Sequence, residues 1–313
     1  MVRMILSRVA FAIPVLFVMT FLTFFLASLI PGNVALVLLG PSATVESVQA
    51  LTRDLGLDKP VLVQYFSWVG NALHGDLGKS IYTGDTVSHI VLQRFWPTLS
   101  LALLAAVVSA IIGISLGLFA AIKGGALSRI LDTLGMVGIA VPGFWIALLL
   151  IVVFSGQLRL LPAIGYENPS EDFWGWIRHL ILPVSAMALA GIALIAKQTR
   201  DAFSEALSRD FIRFLQANGV PRRSLLFRHA LRYASVPIVA AFAVTFINFF
   251  SATATLEIVF AIPGLGSQVA TATANHDLSV LQGAVLAYTI VTVVTILLAD
   301  IIYSLLNPKV GTR

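Results

Sequence analysis

Six apolar stretches of this 313-residue chain contain no Asp, Glu, Lys, Arg or His, and they constrain its fold more than any other feature. They lie approximately at 9–30, 98–122, 133–156, 180–196, 236–256 and 281–299, and the fourth is the shortest. A bilayer core about 30 Å thick needs roughly 20 apolar residues per helix, so each stretch is predicted to span a membrane. Alternating apolar and polar segments, which are typical of transmembrane barrels, are absent. The sequence therefore predicts an all-α integral membrane protein with six transmembrane helices.

The first apolar stretch follows Arg3 and Arg8, a pattern that signal peptides and first transmembrane helices share. It is longer than the about 7–15 residues of a signal-peptide core and ends in Pro31-Gly32 without a small-x-small cleavage site. We therefore interpret it as a retained helix. The chain has no cysteine, which excludes disulfides, thiolate metal sites and thiol catalysis.

The distribution of Lys and Arg predicts the orientation in the membrane. Fourteen of the 20 basic residues fall in the two termini, the 123–132 turn and the 197–235 segment. Because basic residues concentrate on the cytoplasmic side, both termini are expected to be cytoplasmic. The net charge of +5 then reflects topology, so we expect membrane lipid and no nucleic acid among the partners.

Three regions follow from this topology: a first helix at 1–30, an extracytoplasmic loop at 31–97, and a core of five spans at 98–313. The loop is predicted to hold two short helices, one with Leu51 and Leu55 on one face and Gly56 at its end, the other from Pro60 to about Leu73. The second helix would present a partly apolar surface that lies on the membrane or packs as a cap: Val63, Phe66, Trp68 and Val69.

"GDLGKS" at 75–80 lacks the first glycine of a phosphate-binding loop and is not interpreted as one.

The spans lack the ionisable groups that mark proton relays and ion coupling. The absence of such groups argues against an ion-coupled secondary transporter. An ion-coupled transporter and a membrane-embedded enzyme are the two alternative classes of function. All five histidines lie in loops or at span ends, so no nucleophile has a neighbouring base and no metal-ligand cluster is apparent. We expect no catalytic residue, cofactor site or metal site in this chain.

The predicted spans contain small residues and neutral polar residues in place of ionisable ones. Gly113 and Gly117 form a G-x-x-x-G pattern that permits close helix contact, and Pro142-Gly143 is expected to kink the third span. In the fifth span, three polar residues recur at intervals of three and four and share one helical face: Asn248, Ser251 and Thr255. This face either lines a polar pathway or makes interhelical hydrogen bonds.

The segment 203–235 combines many arginines with an apolar face. One amphipathic helix is predicted over 203–218 from the helical spacing of Phe203, Leu207, Phe211, Phe214 and Leu215. Gly219 is expected to cap it, Pro221 to stop it, and a second short helix to follow before the fifth span. Arginines alone could enforce topology or contact anionic lipid, but a capped helix with aromatic residues favours insertion into a groove of another protein.

Several stretches resemble, in order, one known family: "LGLDKPVLVQYFSWV", "GDLGKSIYTG", "VGIAVPGFWIALLLI", "LLPAIGY", "RDFIRFLQANGVPRRSLLFRHALRYASVPI" and "LEIVFAIPGLGSQVATATANHDLSVLQG". This is the dipeptide/oligopeptide/nickel permease family, the membrane subunits of binding-protein-dependent ABC importers, and the chain is most similar to its dipeptide permease B-type subunits. The resemblance implies a type I ABC importer permease fold with an extracytoplasmic loop of short helices and a cytoplasmic coupling helix between spans four and five. It places the chain in the cytoplasmic membrane of a prokaryote.

The resemblance also implies the partners and the activity. A homologous permease is expected to form a heterodimer with this chain, two cytoplasmic P-loop ATPases to bind ATP and magnesium, and an extracytoplasmic substrate-binding protein to deliver the substrate. Dipeptides or oligopeptides would cross by alternating access; nickel, glutathione or another small solute is the alternative.

The coupling segment, with its apolar face, is assigned to ATPase docking through Asp210, Phe211, Arg213, Phe214, Gly219, Arg222 and Arg223. Gly219 matches the turn glycine of the family. The Glu-Ala-Ala of the wider superfamily is replaced by Arg213-Phe214-Leu215.

Overall fold

The computed structural model describes residues 2–29, 34–40, 43–54, 56–125, 128–130, 133 and 141–306, which are mainly helical. The helices are α1 (Val2–Ser28), α2 (Val34–Leu39), α3 (Val45–Asp54), α4 (Val61–Leu73), α5 (Val87–Lys123), α6 (Gly143–Gln157), α7 (Phe173–Ser208), α8 (Asp210–Ala217), α9 (Arg222–Val259), α10 (Leu265–Ala274) and α11 (Leu278–Leu306). Within these ranges the only extended pairing is a single bridge between Lys79 and Thr86. The all-α prediction is confirmed.

Five helices are long and apolar enough to cross a membrane, namely α1, α5, α7, α9 and α11. They correspond to every predicted span except the third. Four of them are much longer than predicted, at 29 to 38 residues, because a helix satisfies its own backbone and does not have to end at the first charged side chain. The longer helices take in four carboxylates that the predicted spans excluded: Asp201, Glu205, Glu257 and Asp300. Of these, Glu257 is fully buried.

The third predicted span, 133–156, is only partly described, because residues 134–140 lie outside the described part of the chain. Only the C-terminal side of the predicted kink at Pro142-Gly143 lies within the described residues: Pro142 has an extended backbone, with ψ 133°, and precedes the first residue of α6. Proline suits this place because the first N–H groups of a helix have no intrahelical partner. The second half of α6, Ile151–Gln157, is π-helical.

The chain divides into two compact units. The first contains Met1–Leu6, Leu99–Ile262 and Val294–Arg313, and the second contains Ser7–Thr98 and Pro263–Val293. α1, α5 and α11 each contribute residues to both units, since the unit boundaries fall inside these helices.

Close packing of α5 against α7 holds the first unit together. A Cβ atom at Gly113 would lie 3.0 Å from the Ile192 carbonyl oxygen, and one at Gly117 would lie 2.7 Å from the Thr199 Cβ. The predicted G-x-x-x-G contact is therefore confirmed, and it brings the two helix backbones together. On the other side of this contact, α6 packs against both α7 and α9.

A buried tyrosine organises the second unit. Tyr65 on α4 is 1% exposed, and its hydroxyl hydrogen-bonds to the Thr20 hydroxyl at 2.9 Å and donates to the Phe17 carbonyl at 3.0 Å. The Gln282 side chain on α11 donates to the Thr20 carbonyl at 3.0 Å. These bonds join α1, α4 and α11 through buried polar groups on neighbouring helices.

The two predicted loop helices exist as α3 and α4, although Leu55 lies outside the described residues. On the surface predicted for α4, Val63 and Phe66 are exposed, and the buried residue of the helix is Tyr65, which the prediction did not include. The stretch 256–283 contains the regular helix α10.

Candidate functional site

The predicted single helix over 203–218 is wrong, because the chain breaks at Arg209. Its backbone there is extended (φ −70°, ψ 144°), so α7 ends one residue before it and α8 begins one residue after it. Phe203 and Leu207 consequently belong to α7, where Phe203 is a core residue, whereas Phe211, Phe214 and Leu215 belong to α8. The break gives α8 its own direction, which a periodicity count along one continuous helix cannot reveal.

Tyr233 of α9 contacts both sides of this break. The Arg209 guanidinium lies 5.5 Å from the centre of the Tyr233 ring, and the Phe211 ring centre lies 5.7 Å from it. Arg209 also pairs with Glu205, one turn back on α7. The hydrogen bond to Glu205, with a further contribution from Tyr233, raises the pKa of Arg209 above its ordinary value, so the guanidinium stays charged.

Ile212 anchors α8 in the first unit. It is 4% exposed and belongs to one apolar cluster built from α7 and α9. The other buried members of the cluster are Ala202, Phe203, Ala206, Ala230, Ala234 and Ile238. The sequence analysis missed Ile212 because it counted helical positions from Phe203 and assumed that one continuous helix extends past Arg209. The alanines opposite it leave room for its branched side chain.

The predicted docking residues lie away from this cluster. Phe214 is 69% exposed and Phe211 is 39% exposed, on a helix whose only buried residue is Ile212. The charged members are also exposed, namely Asp210, Arg213, Arg222 and Arg223. The structure brings all of them to the surface of two consecutive elements, α8 and the start of α9.

Gly219 closes α8 as predicted. The Gly219 N–H donates to the Gln216 carbonyl at 3.1 Å, and the Val220 N–H donates to the Leu215 carbonyl at 3.2 Å. This is the Schellman pattern, and it requires the left-handed backbone that Gly219 adopts with φ +77°. Pro221 then starts α9 with an extended backbone. The turn is therefore short and hydrogen-bonded, and the arm that carries the exposed Phe side chains is rigid.

The predicted short helix after Pro221 and the fifth span are one helix, α9, of 38 residues. Pro237 lies inside it without ending it. A proline in the middle of a helix removes one backbone bond, and the neighbouring turns continue when side-chain packing holds them. The first part of α9 is π-helical over Leu225–Ala230.

The polar face predicted for the fifth span is exposed. Asn248, Ser251 and Thr255 lie on the exposed side of α9, in line with Val244 and Ile258. None of the three polar side chains hydrogen-bonds to another described residue, so they do not join helices within the described part of this chain. The face is available to a partner, to solvent or to lipid.

Comparison with known proteins identifies the family. A family described as "Binding-protein-dependent transport system inner membrane component" matches residues 113–312, and the corresponding N-terminal family matches residues 1–102. The chain is 37% identical over 99% of both chains to a putative peptide transport system permease protein of Brucella abortus, and 36% identical over 98% of both chains to a probable peptide ABC transporter permease protein of Sinorhizobium fredii. It is 31% identical over 99% of both chains to the glutathione transport system permease protein GsiC of Escherichia coli.

A solved structure supports the fold. A chain of the MetNI methionine ABC transporter, crystallised in an inward-facing conformation, superposes with a TM-score of 0.57 at 16% identity and covers 70% of this chain and 97% of its own length. The five long apolar helices and the family matches make the protein a multi-pass inner membrane protein. The chain belongs to the binding-protein-dependent transport system inner membrane components, the permease subunits of ABC importers.

Proposed function

We propose that this chain is the permease subunit of an ATP-driven importer of peptides, which it moves across the inner membrane by alternating access. The relatives at 36% and 37% identity carry peptide transport in their names. Glutathione, named for a relative at 31% identity, is itself a small peptide derivative and fits the same class of cargo. The partners are a homologous permease, two cytoplasmic ATPases and an extracytoplasmic substrate-binding protein.

The observation that carries the proposal is that α8 has one buried side and one exposed apolar side. Ile212 is buried against α7 and α9, while Phe214, two residues further along, is 69% exposed. A large apolar side chain held out on a rigid arm favours insertion into a groove, because docking removes its surface from water. Phe211 and Phe214 are the anchors of this contact, and Arg213, Arg222 and Arg223 form its polar rim.

Movement is transmitted through the buried side of α8. When ATP binding closes the ATPases, the force that acts on Phe214 reaches α7 and α9 through Ile212 and through the ring contact of Phe211 with Tyr233. Close-packed interiors transmit displacement because they compress little. The membrane helices then rock, and the path opens to the other side.

The exposed polar stripe on α9 supplies part of the path. Asn248, Ser251 and Thr255 offer neutral hydrogen-bonding groups to a passing peptide backbone without binding it tightly. A homologous permease that faces this stripe would enclose the path between the two subunits. Neutral polar groups at such an interface avoid the large free-energy cost of a charge in the membrane.

Orientation and cofactors complete the proposal. The excess of Lys and Arg in the termini and in the 197–235 segment supports a cytoplasmic location for both termini and for α8, on the side where the ATPases would bind. ATP and magnesium are held by those partners, and this chain contributes no ATPase site, cofactor site or metal site of its own.

Reconstitution tests the proposal. The permease pair, the ATPases and the binding protein are placed in liposomes, and uptake of a labelled dipeptide and of glutathione is measured with and without ATP. We expect uptake only when ATP and the binding protein are both present. Uptake that an ion gradient drives without the ATPases would contradict the proposal and favour a secondary transporter.

A further inference from the structure

A cavity of about 320 Å³ is lined by residues of the second unit, and no residue of α8 or of the stripe on α9 is among them. Residues of α1, α3, α4, α10 and α11, and of the turns next to them, line it. The polar residues that line it are Ser28, Thr52, Lys59, Gln64, Thr273, His276 and Asp277. The other lining residues are apolar. A concave mixture of apolar walls and a few convergent polar groups is typical of sites for small molecules.

His276 occupies a backbone position that favours glycine. Its φ is +59°, its N–H donates to the Thr273 carbonyl at 3.2 Å, and the Asp277 N–H donates to the Ala272 carbonyl at 2.8 Å. This is the same cap that Gly219 makes on α8, where the backbone strain of a side chain is avoided. A histidine held in the left-handed region is an outlier from which a functional role can be inferred.

The His276 ring also lacks hydrogen bonds. Both ring nitrogens are shielded from solvent, and neither has a partner among the described residues. Buried polar atoms are ordinarily hydrogen-bonded, so each such atom calls for an explanation. Because the ring lines the cavity, an occupant of the cavity is a candidate partner for one of these nitrogens.

Charge and hydrogen-bonding capacity define the chemistry of the occupant. The Lys59 ammonium group has no ion pair within the described part of the chain and is a donor next to the cavity. The hydroxyls of Ser28, Thr52 and Thr273 each donate to a carbonyl of their own helix, which leaves their oxygens as acceptors. The cavity therefore offers donors for an anionic group and acceptors for N–H groups.

The neighbouring Asp277 is already engaged. Its Oδ2 accepts a hydrogen bond from the Ser80 hydroxyl at 2.6 Å, and its Oδ1 accepts one from the Val280 N–H at 3.3 Å. These bonds fix the carboxylate at the start of α11, where negative charge is stabilised. Asp277 thus holds the wall of the cavity in place.

We propose that this cavity binds a small zwitterion with a free carboxylate, an amino acid or a dipeptide. The carboxylate accepts hydrogen bonds from Lys59 and His276, and the ammonium group donates to the hydroxyl oxygens of Ser28, Thr52 and Thr273. The site is separate from the transport surfaces above, and its existence does not depend on the proposed function.

Titration calorimetry on the purified full-length chain in nanodiscs tests the site with L-alanine, L-alanyl-L-alanine and L-alanyl-L-alaninamide. We expect the acid forms to bind, and the amide to bind at least tenfold more weakly. Lys59→Met and His276→Gly should each weaken binding of the acids about tenfold, whereas Lys79→Met, at an exposed lysine of the same unit outside the cavity, should leave it unchanged.

Thermal unfolding provides a second readout that a purely structural histidine would not give. His276→Gly should raise the unfolding midpoint by about 2 °C, since glycine relieves the backbone strain, while it weakens binding. His276→Asn, which tolerates the same backbone, checks the loss of the imidazole if the glycine variant does not fold. The proposal is overturned if no acid binds, if the amide binds as tightly as the acid, or if Lys59→Met and both His276 variants bind normally.

Discussion

The ring of Tyr233 on α9 lies 5.7 Å from the ring of Phe211 on α8, and the guanidinium of Arg209 lies 5.5 Å from the same tyrosine ring. One side chain of a long apolar helix therefore contacts both sides of the break between α7 and α8. With Ile212 buried beneath, α8 has two attachments to α9 and leaves Phe214 without a large contact of its own. The predictions below separate docking, transmission, helix packing and the transport path.

Phe214→Asp should prevent the ATPases from co-purifying with the permease, while the permease still inserts into the membrane. The exposed ring makes the apolar contact with the partner, and a carboxylate in its place would have to be desolvated on docking. Loss of a central anchor of this kind costs about 2 kcal/mol or more, a decrease in affinity of at least about thirtyfold. Affinity purification through a tag on the permease measures the effect.

Phe214→Leu is the matched control, because it keeps an apolar side chain at the same place. It should retain most of the ATPase. Phe211→Asp would give a less specific result, since Phe211 also stacks on Tyr233 and its loss disturbs α8 itself. Normal recovery of the ATPases with Phe214→Asp would remove α8 as the docking element.

Ile212→Ala should keep the ATPases bound but reduce transport. Truncation of a buried isoleucine typically costs about 2–5 kcal/mol, and here it loosens α8 from α7 and α9 without touching Phe214. ATP hydrolysis should then respond less to the loaded binding protein. The ratio of peptide uptake to ATP hydrolysis in liposomes measures this, and Ile212→Val, which removes one methyl group, should lie close to wild type. An unchanged ratio for the alanine variant would show that force takes another route.

Gly117→Ala should destabilise the first unit by about 1–3 kcal/mol, since the new Cβ would meet the Ala196 carbonyl and lie 2.7 Å from the Thr199 Cβ. Gly143→Ala is the matched control, because nothing lies within 4 Å of a Cβ placed there. Helix propensity alone would favour alanine more at Gly117, inside α5, than at Gly143, the first residue of α6, so a loss of stability at Gly117 reports the steric contact. Thermal unfolding in detergent compares them, and equal midpoints would disprove close packing of α5 on α7 at Gly117.

Replacement of Asn248 and Ser251 together by leucine should reduce peptide uptake while the ATPases still bind. If these residues line the path, two bulky apolar side chains block it and remove its hydrogen-bonding groups. If the stripe faces lipid instead, the leucines should leave uptake unchanged and raise the thermal stability. Val244→Leu, at the apolar end of the same exposed face, is the control and should have little effect in either case.

The membrane fold could be predicted from the sequence because apolar length and the absence of charge are local properties. The short helices α3 and α4 and the cap at Gly219 were equally accessible, since glycine and proline mark these ends directly. Helix lengths were underestimated, because charged residues were taken as ends although helices such as α7 continue well past them.

The break at Arg209 and the role of Ile212 could not be predicted, because no glycine or proline marks the break. Arginine is a good helix former, so local propensity favours a continuous helix here, and the extended backbone goes with tertiary contacts to Tyr233 and the alanine-rich cluster. Tyr65 was missed for a similar reason. Its burial depends on a partner, Thr20, that lies 45 residues earlier in the chain.

The π-helical segment Leu225–Ala230 sets the angular phase between the two ends of α9. A wider turn of this kind accommodates one additional residue, and one residue corresponds to a rotation of about 100° around an α-helix. Deletion of a single residue there would restore a regular helix and swing Arg222 and Arg223 about a quarter turn relative to Asn248. The angle at which the permease meets its ATPase would thus be encoded by one inserted residue, and it could change between related transporters without any change in either contact surface.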